Sequence, residues 1–123
     1  MNRTRLGWCV GVALILIAAG CKPRIRPPLD AASAPPGTGW HCYKHEAAGT
    51  VALGICYRDG AKCAAEGAND GGSVCAPQAE AFCTDLRPGS DTHDMRCVAT
   101  MADCEEIARN FAGMGPSQCG TVP

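Results

Sequence analysis

The sequence predicts a small disulfide-rich α+β domain made of two tandem ββα-like units of four cysteines each. Three observations carry that expectation. Cysteines stand at Cys42, Cys56, Cys63 and Cys75, then at Cys83, Cys97, Cys104 and Cys119, with intervals x13, x6, x11 and x13, x6, x14. Two matching intervals point to an internal duplication offset by 41 residues (42 to 83), the fourth cysteine drifting by three residues in a loop. Second, the large aliphatic residues after Trp40 are few: Leu53, Ile55, Leu86 and Ile107, beside scattered Val and Met. So thin a core needs staples, and four disulfides at roughly 2–4 kcal/mol each would match a small domain's whole net stability. Third, Met101, Cys104, Ile107, Ala108 and Phe111 recur at helical spacing in the second unit.

Taken in order, the chain opens with Arg3 and Arg5 ahead of an uncharged apolar run over residues 6–19. That run is shorter than the roughly 20 residues a membrane-spanning helix needs and has the form of an export signal. It ends in Leu16-Ile17-Ala18-Ala19-Gly20-Cys21, which resembles the lipobox of bacterial lipoproteins. The resemblance implies removal of residues 1–20 and acylation of Cys21, and so a membrane partner reached through a lipid anchor. Ala18 stands where Leu is commonest in that motif. An ordinary secretory signal with a nearby cysteine is the other reading. Lys22 follows Cys21, where lipoproteins kept in the inner membrane often carry Asp, so the resemblance favours the outer membrane.

Residues 22–39 hold Pro23, Pro27, Pro28, Pro35 and Pro36. Proline removes donors and favours extended polyproline II, so this stretch is expected to be a coreless, semi-rigid spacer holding the domain tens of ångströms from the bilayer. Lys22, Arg24 and Arg26 are placed to rest on anionic headgroups.

In the first unit, residues 40–75, Trp40-His41-Cys42-Tyr43 reads as a strand and residues 51–57 as the returning strand, with Cys42 and Cys56 roughly opposite. Asp59-Gly60 breaks the strand, residues 61–66 suit a short helix carrying Cys63, and Asn69-Asp70-Gly71-Gly72 is a turn. In the second unit, residues 82–119, a strand begins at Phe82-Cys83, Arg87-Pro88-Gly89-Ser90 turns the chain, and residues 95–98 return. Thr100 is the expected N-cap, with Asp103 completing a capping-box variant, and Gly113 is placed to end the helix. The two units can share one four-stranded antiparallel sheet with the helices on one face.

Eight cysteines remain after Cys9 and Cys21 are set aside, and an exported domain pairs them as disulfides by default. Connectivity is open: eight cysteines allow 105 pairings, and duplication favours pairing within each unit, which leaves three options per unit. No C-x2-C occurs, and His41, His45 and His93 lack zinc spacing, so no metal or other cofactor is expected. His93 with Asp91 and Asp94 has the residue types for acid–base work, but no nucleophile motif accompanies them and no enzyme is predicted. From Trp40 onward there are six basic and eleven acidic residues, a formal charge of −5, which excludes a nucleic-acid partner.

Phe82-Cys83 and the C-x6-C step Cys97–Cys104 resemble the small cysteine-rich lipoproteins found in myxobacteria and similar Gram-negative bacteria. That resemblance implies no activity. The functional expectation is a lipid-anchored envelope module that binds a protein or glycan without catalysis, or alternatively an exported inhibitor or accessory of a hydrolase. The contact regions would be the two hairpin loops, residues 44–50 and 86–94, with Arg87, Asp91 and His93 as candidate partner-binding residues.

Overall fold

Cys42 and Cys56 do face each other across a hairpin. The computed structural model describes residues 25–46, 53–71 and 73–123. The signal-like stretch, Cys21, Lys22 and Arg24 lie outside the described residues, as do residues 47–50 of the first hairpin loop and Gly72. Strand β1 (Trp40–His45) pairs antiparallel with β2 (Leu53–Tyr57) in the register Cys42↔Cys56. Helix α1 (Gly60–Asn69) follows, and the Asp59 carboxylate caps it by accepting from the backbone N–H groups of Ala61 and Lys62. A short strand β3 (Ala76–Gln78) then returns beside β1. The later part of the chain forms β4 (Ala81–Asp85), β5 (Met95–Val98), α2 (Met101–Asn110) and β6 (Gly120–Val122).

The result is a small disulfide-rich α+β fold on one antiparallel sheet, in the order β3-β1-β2-β5-β4-β6. The expectation of four strands is corrected to six. Strands β3 and β6 are three residues long, too short for a period-2 pattern, and β3 carries Pro77, which is tolerated at a sheet edge because no donor is needed there.

Register explains where the core sits. Ala76, Cys42 and Cys56 lie in one cross-strand row, as do Cys97, Cys83 and Gly120, and the pairing Ile55↔Val98 puts the two rows in line. Side chains alternate along a strand, so all four hairpin cysteines point to one face. They form the disulfides Cys42–Cys56 and Cys83–Cys97, and Cys63–Cys75 and Cys104–Cys119 tie each helix to the segment that follows it. The core on the hairpin-disulfide face comprises these four cysteines with Trp40, Ala81 and Val122. Trp40 donates from Nε1 to the Val122 carbonyl at 2.9 Å, joining β1 to a strand four places along, so the sheet curls around this face.

Residues 25–39 cover that curled face, which corrects the expectation of a spacer free of the domain. Leu29 and Ala34 pack against the core. Arg26 donates to the Ser117 carbonyl and pairs with Glu105 at 3.1 Å, while Gln118 donates from its backbone N–H to the Pro27 carbonyl at 2.7 Å. Arg58 donates to the carbonyls of Pro35 and Gly39 and lays its guanidinium 3.9 Å from the Trp40 ring centre. The strap is not the uniformly extended chain that composition predicts: Asp30 caps a 3-10 turn at Ala31–Ser33, and Gly37 and Gly39 take positive φ. Leu29 supplies an anchor that a composition argument passes over: a Cβ on Gly120 would stand 2.9 Å from it, so glycine there makes room.

On the opposite face, α1 packs so close to β1 that a Cβ on Gly67 would lie 3.4 Å from the Tyr43 side chain and 2.5 Å from the Ser73 carbonyl. Helix α2 packs on β4 and β5 and buries Cys104 and Ala108. Thr100 is its N-cap as expected, accepting from the Asp103 N–H at 3.1 Å. The capping box is half made: the Asp103 carboxylate turns to the Gly54 N–H instead. Met101 and Phe111, at the two ends of the predicted apolar face, are exposed. The helix ends at Asn110, and the left-handed residue that completes the exit is Gly115 (φ 67°), two residues beyond the expected Gly113.

Candidate functional site

The loop over residues 86–94, expected as a contact surface, is held by a single carboxylate. Asp85 closes β4 and is 2% exposed. Its Oδ1 accepts from the Arg87 N–H at 2.9 Å and the Asp94 N–H at 3.2 Å, and its Oδ2 meets His93 Nδ1 at 2.5 Å. Leu86, 1% exposed, donates from its N–H to the Asp94 carbonyl, so the loop is pinned at both ends. Gly89 (φ 78°) makes the tight turn between them.

Burial alone would push the Asp85 carboxyl up. The hydrogen bonds from Arg87, His93 and Asp94 act against burial and win, holding it below the ordinary carboxylate range. A carboxylate whose folded-state pKa is depressed stabilises the fold above its unfolded value, near 4, and that contribution is lost as pH falls through the folded value. Acid melts of the wild type should therefore lose stability below about pH 4, and Asp85→Asn should flatten that acid limb. At pH 7 the substitution should cost about 1.5–3 kcal/mol, the worth of hydrogen bonds to a buried charge, read by urea unfolding.

The three predicted contact residues part company. Arg87 and Asp91 are exposed on the loop. His93 is not grouped with the Asp91 or Asp94 carboxylates: its ring joins Asp85, and its Nε2 lies 3.3 Å from Ser33 Oγ in the strap. Asp94 instead pairs with Arg96.

Asp85, His93 and Ser33 stand in the order of a hydrolase triad. A nucleophilic serine must give its proton to the imidazole and must sit beside donors for an oxyanion. The Ser33 hydroxyl donates to Asp30 Oδ2 at 2.9 Å. Around it, the N–H groups of Ala32, Ser33 and Ala34 are taken by Asp30 and Ala31 within the same short turn. With its proton directed to Asp30, Ser33 fastens the strap to the loop through His93.

A second carboxylate cluster joins β1 to the end of α1. Tyr43 donates to Asp70 Oδ2 at 2.9 Å, and His45 Nδ1 lies 2.5 Å from the same oxygen. Bonds from Tyr43 and His45 hold the Asp70 carboxyl low, while burial, with Asp70 beside it, pushes the Tyr43 hydroxyl up. Tyr43 stacks with Tyr57, their ring centres 6.3 Å apart. Sequence reasoning missed both clusters. Their side-chain contacts span 8 to 60 residues, and only the short Asp85-x-Arg87 turn could have signalled one.

Among the described residues, no three His, Cys, Asp or Glu side chains gather as metal ligands, and no helix is long and apolar enough to cross a membrane. No protein-family model, curated protein or solved structure matches the chain.

Proposed function

We propose that the chain is a lipid-anchored envelope protein, attached through Cys21 to the outer membrane and acting as a non-catalytic binding or structural module. The four disulfides carry this reading, because bonds of that number persist in an oxidising compartment and the lipobox-like stretch before Cys21 supplies the route there. The same reading takes the module as a duplication. Helices starting at Gly60 and Met101 keep the 41-residue offset of the cysteines, and in each half a hairpin, a helix and a short edge strand follow in turn.

Binding belongs to the loop at residues 86–94, where a buried carboxylate holds the backbone and leaves Arg87 and Asp91 to a protein or glycan partner. The same bracing favours a second reading, an exported hydrolase inhibitor, since a preorganised loop loses little entropy on binding. Capture of one hydrolase at equal stoichiometry from an envelope extract would select it.

Metabolic labelling with a fatty acid tests the anchor. Wild type should be labelled, and Cys21→Ser should lose the label and leave the membrane fraction. Equal labelling of both would refute attachment at this residue.

A further inference from the structure

The strap changes where an anchor at Cys21 would put the domain. With residues 25–39 folded onto the sheet, only Lys22, Pro23 and Arg24 separate Cys21 from the docked chain. Four Cα steps of 3.8 Å span at most about 15 Å, so Ile25 cannot stand far from the headgroups.

An exposed apolar turn lies at the same end of the sheet as that entry point. Arg26 fixes the strap to Ser117 and to Glu105 of α2. Two residues before Ser117 ends an exposed run, Phe111-Ala112-Gly113-Met114-Gly115, with no charged or polar side chain. Phe111 is 39% and Met114 46% exposed, and Ile25, next to Arg26, is 85% exposed. Single exposed apolar residues are ordinary, but a run of five exposed apolar residues is a feature of contact surfaces.

We propose that the turn at residues 111–115 and Ile25 form the face on which the domain rests on the lipid bilayer, the linker before it carrying the basic pair Lys22 and Arg24. This rests on the anchor reading. Phe and Met reach the acyl boundary, the short linker supplies high local concentration, and the basic pair adds attraction to anionic lipid. The loop that carries Arg87 and Asp91 emerges at the Asp85 end of β4, which Ser117 bonds directly, so it would sit close to the membrane plane.

Trp40 is buried, and Trp8 lies in the stretch the anchor reading removes, so a new tryptophan reports its own surroundings. Met114→Trp and Val74→Trp would be made in the acylated full chain and placed in phosphatidylethanolamine–phosphatidylglycerol vesicles with brominated acyl chains. Val74 is also exposed, but it follows Ser73, which bonds Lys44 near the far end of β1. The Lys44 end of β1 and the Asp85 end of β4 lie at opposite ends of the antiparallel sheet. The expected result is strong quenching and a blue shift for Met114→Trp and neither for Val74→Trp. Quenching of both alike, or of neither in protein whose mass shows the acyl chains, overturns the docked face and leaves the anchor standing. A mass without acyl chains overturns the anchor itself and the docked face with it. Unchanged thermal unfolding verifies that both variants fold.

Discussion

Reduction of the disulfides should leave the chain unfolded at 25 °C. Each bond closes 12 to 15 residues, a loop whose crosslink is worth about 3 kcal/mol, and four such terms, about 12 kcal/mol, are comparable with the 5–15 kcal/mol by which small domains are stable. The pair Cys83–Cys97 should be the costliest to lose singly. Cys83 is fully buried and Cys97 nearly so, and they lie beside Cys42–Cys56 on the hairpin-disulfide face, so removing both sulfurs opens a void as well as freeing the hairpin. Cys83→Ala with Cys97→Ala should lower stability by about 3–5 kcal/mol, measured by urea unfolding against wild type. Retention of cooperative unfolding by the fully reduced chain would mean that burial, not crosslinking, holds the fold.

Trp40→Ala should have the next largest effect, about 3–5 kcal/mol. The indole is 2% exposed, gives its only N–H to Val122, and lies under the Arg58 guanidinium that in turn holds the carbonyls of Pro35 and Gly39. Truncation therefore empties the centre of the core, leaves the last strand without its tie to β1, and loosens the strap. Hydrogen exchange should rise first in residues 33–39 and 120–122. A substitution to Phe should recover the packing but not the bond to Val122, and so fall between the two.

Much of this fold is legible in the sequence because its strongest constraints are local. Matching cysteine intervals set both hairpins, Cys42 faces Cys56 as predicted, β5 occupies the predicted residues, and Thr100 starts α2. The remainder depends on contacts between distant segments. Strands β3 and β6 exist because β1 and β4 offer free edges, and nothing in Ala76-Pro77-Gln78 reads as a strand alone. A proline-rich stretch looks like a spacer until the sheet curls to receive Leu29 and Ala34. His93 was legible as a polar group near acids, but its partner is the buried Asp85 and not Asp91 or Asp94, since strand alternation and turn geometry decide which carboxylate faces inward.

The sheet is stapled hairpin by hairpin, and each helix is tied to the segment after it. Proteolysis of the unreduced protein at acidic pH, with mass spectrometry of the linked peptides, tests it most directly. The pairs Cys42–Cys56, Cys63–Cys75, Cys83–Cys97 and Cys104–Cys119 should account for all linked peptides of residues 40–123. A linked peptide joining any cysteine of residues 42–75 to one of residues 83–119, or free thiol at any of the eight, would contradict it.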